Sequence, residues 1–260
     1  MKRFLIVCLV IVIFVFGLWV IAIPESLLAG LVEGAMHDSD MRIETSDIRK
    51  GIFFDFTCGS IRLKKNDRTL MSVENVAGRI NPLSLLTLRL NAHFRGETGG
   101  GRVKGTIDLF RGKSHVDITV AGADIADMPF FSLLGIDGKG ALTGTLKIEN
   151  VRGDIKFEVR DARFGQGSFG GITIPLDAFT SARGAMTVMG NSVRITSFAL
   201  EGAGIYARLS GEITSGGMNL IMELMPEKSF KDSNFIFLIL EKYKNSPGHY
   251  SIPITGALPL

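Results

Sequence analysis

The residues that could do chemistry in this chain are two glycine-rich stretches, four histidines, one isolated cysteine and a pair of aspartates. Gly112-Lys113-Ser114 ends like a phosphate loop, in which backbone N–H groups wrap the phosphates while the lysine reaches them. That loop also needs a glycine at position 107, which is isoleucine here, and a helix after it, for which there is no pattern. In GKGALTG, glycines stand at 138, 140 and 144, one residue out of step with the dinucleotide fingerprint. Leu142, Leu146 and Ile148 continue that stretch as a strand, where phosphate binding calls for a helix N-terminus. Lys139 then reads as a solvent-facing turn residue.

His37, His93, His115 and His249 have no ligand spacing among them. His37-Asp38-Ser39-Asp40 starts like a calcium loop, but Met41 and Arg42 follow where an acid or amide and then a glycine are required. Asp124 and Asp127 read as loop carboxylates, and no G-x-S-x-G elbow is present. Cys58 has no histidine beside it and reads as a half-buried strand cysteine. The expectation is a protein with no catalytic, metal or cofactor site, and not an enzyme.

The elements that carry these residues are strands. Apolar residues alternate with polar ones at Ile61 and Leu63, at Val103, Ile107 and Leu109, at Val116, Ile118 and Val120, at Leu142, Leu146 and Ile148, at Ile155, Phe157 and Val159, and at Ile205, Ala207 and Leu209. Period two repeated in this way predicts antiparallel strands with one dry face. Turn signals stand at 65–67, Asp137-Gly138, Arg152-Gly153, Gly190-Asn191 and 215–217. Glycine makes up 31 of 260 residues, about 12% where roughly 7% is usual, and Gly105, Gly144, Gly211 and Gly256 lie inside alternating runs. A strand glycine marks a bulge, a bend or close approach of another backbone. The predicted fold is mainly β, a strongly curved antiparallel sheet with a few short helices.

Those helices are expected at 81–90, which opens with Asn-Pro, and at 127–135. The apolar run inside 233–248 fits a buried helix or a central strand equally. Residues 24–36 place Leu27, Leu28, Leu31, Val32, Ala35 and Met36 on one helical face, behind Pro24 and Glu25.

Before that helix, Phe4 to Ile23 is an uncharged run of 20 residues, sixteen of them Leu, Ile, Val or Phe. At about −0.3 to −0.6 kcal/mol for each, insertion into a bilayer is favourable by roughly 5–10 kcal/mol. The run exceeds a signal-peptide core of about 7–15 residues and lacks a small-x-small cleavage site, so it reads as an uncleaved anchor. Lys2 and Arg3 put the N-terminus in the cytoplasm by the positive-inside rule and the bulk across the membrane. Without those two, 27 basic residues face 26 acidic ones, 29 − 2 against 26. The pI near 8.9 therefore reflects a small surplus, which argues against nucleic acid as a partner. The organisation expected is a tip and transmembrane anchor over 1–23, an amphipathic juxtamembrane helix over 24–40 and a β-rich domain over 41–260.

This order of features resembles the type II secretion system protein N family. The resemblance rests on the MKR start, the single anchor, IPESLLAGLVEGAM, the sheet entry MRIETSDIRKGIFFDFTCGSIRLKK, the RINPLSLL turn, the glycine-bearing strands and the ending YSIPITGALPL. Through SIRLKKNDRTLMSVENVAGRINPLSLL the chain is also similar to the AsmA-like envelope proteins. The first likeness implies a single-pass bacterial inner-membrane component of the secretion machinery, with its bulk in the periplasm, a structural or assembly role and other secretion components as partners. The second implies a half-pipe sheet that binds or transfers lipid in an apolar groove, with Val103, Ile107, Leu142, Leu146, Ile205 and Leu209 as its candidate lining.

Overall fold

The computed structural model describes residues 16–22, 24–33, 41–65, 67–87, 89–129, 137–165, 167–169, 172–174, 176–190, 192–214, 217–233 and 236–256. The alternating stretches form strands in chain order. They are β1 (Met41–Ser46), β2 (Arg49–Lys50), β3 (Asp55–Lys65), β4 (Arg68–Ile80), β5 (Arg89–Thr98), β6 (Gly101–Phe110), β7 (Lys113–Asp124), β8 (Gly138–Glu149) and β9 (Arg152–Phe164). After them come β10 (Gly167–Phe169), β11 (Ile172–Ile174), β12 (Phe179–Met189), β13 (Ser192–Gly202), β14 (Ile205–Thr214), β15 (Gly217–Pro226), β16 (Lys244–Ser246) and β17 (His249–Gly256). Fifteen of them make one antiparallel sheet in the order β1-β3-β4-β5-β6-β7-β8-β9-β12-β13-β14-β15-β17-β16, with β2 pairing β3. The sheet is not closed, and β10 and β11 pair separately. The fold is thus mainly β with a few short helices.

The chain divides into two compact units, residues 1–98 with 102–117, and residues 99–101 with 118–260. In the first unit the buried centre is Trp19, Ile80 and Ala92, against which Leu28, Phe54, Phe56, Leu85 and Leu90 pack. The helix expected within 81–90 is Pro82–Leu85, and Arg89 already begins β5. Asn81 caps this helix, since its side-chain oxygen accepts from the Leu83 N–H at 3.1 Å and proline follows it, where a missing N–H costs nothing. The helix after Pro24 runs Glu25–Glu33, and two of its carboxylates reach the sheet. Glu33 accepts from the Thr45 N–H at 3.2 Å, and Glu25 from the Lys50 N–H at 2.9 Å. These bonds satisfy backbone donors of β1 and β2.

The second unit repeats one transverse pattern from strand to strand. Leu142 opposes Val159, which opposes Ala182, then Leu200, Ala207, Leu224 and Tyr250, and all seven are buried. Directly opposed residues share a face of the sheet, so this row is a continuous apolar band. The parallel row through Gly144 runs Phe157, Gly184, Phe198, Leu209, Met222 and Ile252. A register shift on β13 between Ile195 and Phe198 lets Phe198 and Leu200 share a face with Val193 and Ile195. Phe237 and Leu240, from the short helical turns Ile236–Ile239 and Leu240–Tyr243, complete this core with Leu176 and Phe179.

One expectation is corrected and an open alternative is decided. Arg152-Gly153 opens β9 instead of forming a turn, because Asn150 takes the left-handed conformation (φ 56°) and makes the turn one step earlier. At the helix expected over 127–135, a short 3₁₀ turn at Ile125–Asp127 leads in and Pro129 is helical, while 130–135 lie outside the described residues. Of the two alternatives for the apolar run inside 233–248, the described part is helical at Ile236–Ile239, and Lys244–Ser246 after it pairs as β16. Most of Phe4–Ile23, Ala35, Met36 and the His37–Asp40 stretch also lie outside the described residues. Among the described residues no helix is long and apolar enough to cross a membrane.

Candidate functional site

The glycine stretches are occupied by their own backbone. Arg111 and Gly112 have φ of 48° and 78° and form the two-residue turn between β6 and β7, so Gly112 belongs to a hairpin connection and Lys113-Ser114 open the next strand. In GKGALTG the Gly140 N–H donates to Asp124 Oδ1 at 3.1 Å, and the same oxygen accepts from Ala126 N–H at 3.0 Å. Asp124 is therefore an N-cap whose spare lone pair holds the neighbouring strand, a role its sequence context did not reveal. Gly140 stands at a register shift against β9 with φ 155°, and a Cβ there would lie 2.8 Å from the Val159 side chain. An amide already bonded to a carboxylate is no anion cradle.

The remaining reactive side chains are dispersed. Among the described residues no three of His, Cys, Asp and Glu gather to hold a metal. Cys58 is buried, its Sγ directed at the Ser46 and Ser60 carbonyls at 3.1 and 3.2 Å. Burial pushes the thiol above its ordinary pKa, which removes the thiolate that a nucleophile needs. Ordered carboxylates serve ion pairs on the polar side of strands. Arg89 and Asn91 hold Asp108 below the usual carboxylate range, and Arg160 does so for Glu158 across 2.9 Å.

What the sheet does offer is apolar surface. Of the six groove candidates, Val103 and Ile107 lie on β6 in the first unit, buried and half-buried respectively. Leu142, Leu146, Ile205 and Leu209 lie in the second unit. Leu142 and Ile205 are buried in its core, and Leu209 packs against that core half-buried. Leu146 begins a row that continues through Ile155, Met186 and Ile195 to Gly211, and every member is half-buried. The next row adds Ile148, Val188, Val193, Ile213 and Met218, half-buried as well. The apolar face therefore extends beyond the part that the described residues of the unit cover.

A pattern that a sequence alone does not reveal is glycine under phenylalanine. Phe157 opposes Gly184, and a Cβ on Gly184 would lie 2.5 Å from the Phe157 ring, which also meets Phe198 at 5.9 Å between centroids. Phe56 covers Gly78 in the same way, and Phe94 covers Gly105. At these positions glycine makes room for an aromatic ring lying across the strand. Gly211 instead marks close backbone approach, since a Cβ there would come within 2.8 Å of Leu220 Cα.

Among the described residues the second unit also has an uncovered strand edge. β17 pairs with β15 from Tyr250 to Gly256, but β16 meets only His249 and Tyr250 on its other side. Pro253 has no N–H, so it fits with its nitrogen turned to the open side, and alternation turns the Ser251 and Thr255 amides the same way. Comparison of the chain with models of known protein families, with curated proteins and with solved structures finds no match.

Proposed function

We propose that the chain is a non-enzymatic component of the type II protein secretion machinery, anchored in the bacterial inner membrane with its bulk in the periplasm, and that its role is structural. The order of sequence features supports this, and the observation that carries it is the β17 edge. Ser251 to Gly256 present backbone groups that no described strand pairs on that side, and to these a partner's strand can add, the usual way that an open sheet recruits an extended segment. Proximity crosslinking from the full-length protein in cells recovers other secretion components if this is right. The Thr255→Pro variant, which removes an edge donor, should lose that crosslinking while keeping its fold. Undiminished secretion after clean deletion of the gene refutes the proposal.

A second reading is favoured by the half-buried rows of the second unit. In it the protein is an AsmA-like envelope protein whose sheet is a strongly curved half-pipe, and acyl chains lie along Leu146, Ile155, Met186 and Ile195, with Leu209 beside them. A C16 chain gains about 0.8 kcal/mol for each CH₂ it buries, so even partial cover by these rows would hold lipid. Mass spectrometry of the purified protein then finds bound lipid, which the Met186→Glu variant loses. A lipid-free preparation that takes up no fluorescent acyl probe refutes this second reading.

A further inference from the structure

Half of the fourteen large apolar side chains that are exposed among the described residues belong to one end of the first unit. Phe16, Val20 and Ile21 sit on the last turns of the N-terminal apolar run, Ile52 and Phe53 on the turn between β2 and β3, and Leu83 and Leu86 on the capped helix after β4. Ile52, Phe53 and Leu83 are 64%, 68% and 71% exposed. Such a concentration is unlike the scattered apolar residues of an ordinary surface.

The turn is tied to the apolar run. Trp19 is fully buried, its Nε1–H donates to the Gly51 carbonyl at 2.9 Å, and its ring packs against Phe54 at 5.3 Å. Lys50 Nζ donates to the Trp19 and Val20 carbonyls at 2.8 and 3.1 Å, capping the end of that helical segment. The capped helix joins the same cluster through Leu85, and the Ile80 N–H donates to the Phe54 carbonyl at 2.8 Å. Two amides of the turn are already satisfied within the protein. The Gly51 N–H donates to the Asp55 carbonyl at 2.8 Å, and the Phe53 N–H to Asp55 Oδ1 at 3.0 Å. A turn with these two amides paired and its apolar side chains exposed enters a lipid interface at reduced cost.

We propose that this end of the first unit, residues 49–55 with 82–86, rests in the interface of the bilayer that Phe4–Ile23 enters, with Ile52, Phe53, Leu83 and Leu86 among headgroups and upper acyl chains. The exposed Arg49 guanidinium faces the anionic headgroups there. The proposal rests on reading Phe4–Ile23 as a membrane span. It holds the sheet to the membrane by a second contact, so the first unit does not swing freely on its anchor.

Trp19 is the one tryptophan of the chain, which supplies the test. The full-length protein is placed in bilayers of phosphatidylethanolamine and phosphatidylglycerol whose acyl chains carry bromine, a short-range quencher. In a Trp19→Phe background, Ile21→Trp, at an exposed position of the apolar run, is quenched if the span is right. In the same background the Phe53→Trp variant is then quenched several-fold more than Val151→Trp, which sits at an exposed turn. Quenched Ile21→Trp together with Phe53→Trp that behaves as Val151→Trp overturns this proposal and leaves the span standing. Unquenched Ile21→Trp overturns both. Because Trp19→Phe removes the bond to Gly51, the unaltered protein is also labelled with phosphatidylcholine bearing a photoactivatable acyl chain. Adducts on peptides containing 52–53 and 83–86, besides those on the apolar run, are expected, and label confined to the run counts as failure.

Discussion

Replacing Gly184 by alanine tests the glycine-under-phenylalanine pairing, because the sign of its effect depends on a residue of another strand. In the native protein the new Cβ would stand 2.5 Å from Phe157 Cε1 and 2.6 Å from Cζ, well inside contact distance. The ring cannot simply turn away, since Phe198 lies against it and β9 is hydrogen-bonded on both sides. Overpacking of this kind costs about 1–3 kcal/mol. Alanine regains about 0.5–1 kcal/mol relative to glycine within a strand, so Gly184→Ala should destabilise by about 1–2 kcal/mol. Truncating the half-buried ring in Phe157→Ala costs about 2 kcal/mol, less than the roughly 3–5 of a fully buried phenylalanine. In that background the alanine Cβ enters vacated space and only the backbone gain remains. Gly184→Ala then stabilises by about 0.5–1 kcal/mol, a coupling of about 1.5–3 kcal/mol in the double-mutant cycle. With two compact units, one global transition would mix their stabilities, so the assay is hydrogen exchange of peptides from β9 and β12 across a urea series. An equal cost of Gly184→Ala with and without Phe157 refutes the pairing. The Gly78 and Gly105 positions, under Phe56 and Phe94, should repeat the result.

Asp124→Ala removes both the cap of the 3₁₀ turn and the acceptor of the Gly140 amide, and should lower the stability of β8 by about 1–2 kcal/mol in the same exchange assay. Cys58 should resist alkylation at pH 8 in the folded protein and react only as β3 opens, so that peptide-resolved labelling rises with urea; rapid labelling without denaturant contradicts its burial. Asp108 is held below its ordinary value of 3.8 by Arg89 first and Asn91 second. A depressed carboxylate stabilises the fold above the unfolded-state pKa, and that contribution is lost as pH falls through the folded one. Thermal stability should therefore fall below about pH 4, and Arg89→Met should flatten the fall.

How much was legible depended on whether the cause was local. Alternation at Val103, Leu142 and Ile205 is a property of neighbouring residues, and each lies in a strand with its side chain buried. The bulge on β13 breaks that alternation between Ile195 and Phe198, which is why Ser192–Gly202 carried no clear period although both halves face the core. Arg152-Gly153 misled because glycine after a charged residue reads as a turn, whereas Asn150 had the side chain to take the left-handed position itself. The purpose of Gly184 required knowing that Phe157 stands opposite it, and register is a pairing between residues 27 apart, 184 − 157. Likewise nothing near Asp124 in sequence announces Gly140, sixteen residues on, as its second donor.

The two outermost regions of the sheet are treated differently, and that difference bears on assembly. At β1 and β2 the donors of Thr45 and Lys50 are met by Glu33 and Glu25, so a foreign strand would have to displace carboxylates that the preceding helix already supplies. Both bonds are exposed and therefore screened, but their loss is a cost that strand addition at β17 does not carry. At β17 only Pro253 interrupts the row of edge groups, and the three residues of β16 cover no more than its first turn of pairing. One proline removes one donor but leaves the Ser251 and Thr255 amides and every carbonyl on that side. An added strand therefore meets a partial ladder at β17 and a capped one at β1. Under the proposed docking at β17, charge reversal of Glu33 should expose the Thr45 amide without changing the crosslinking, while Thr255→Pro should weaken it; crosslinking lost equally with both variants would place the partner elsewhere.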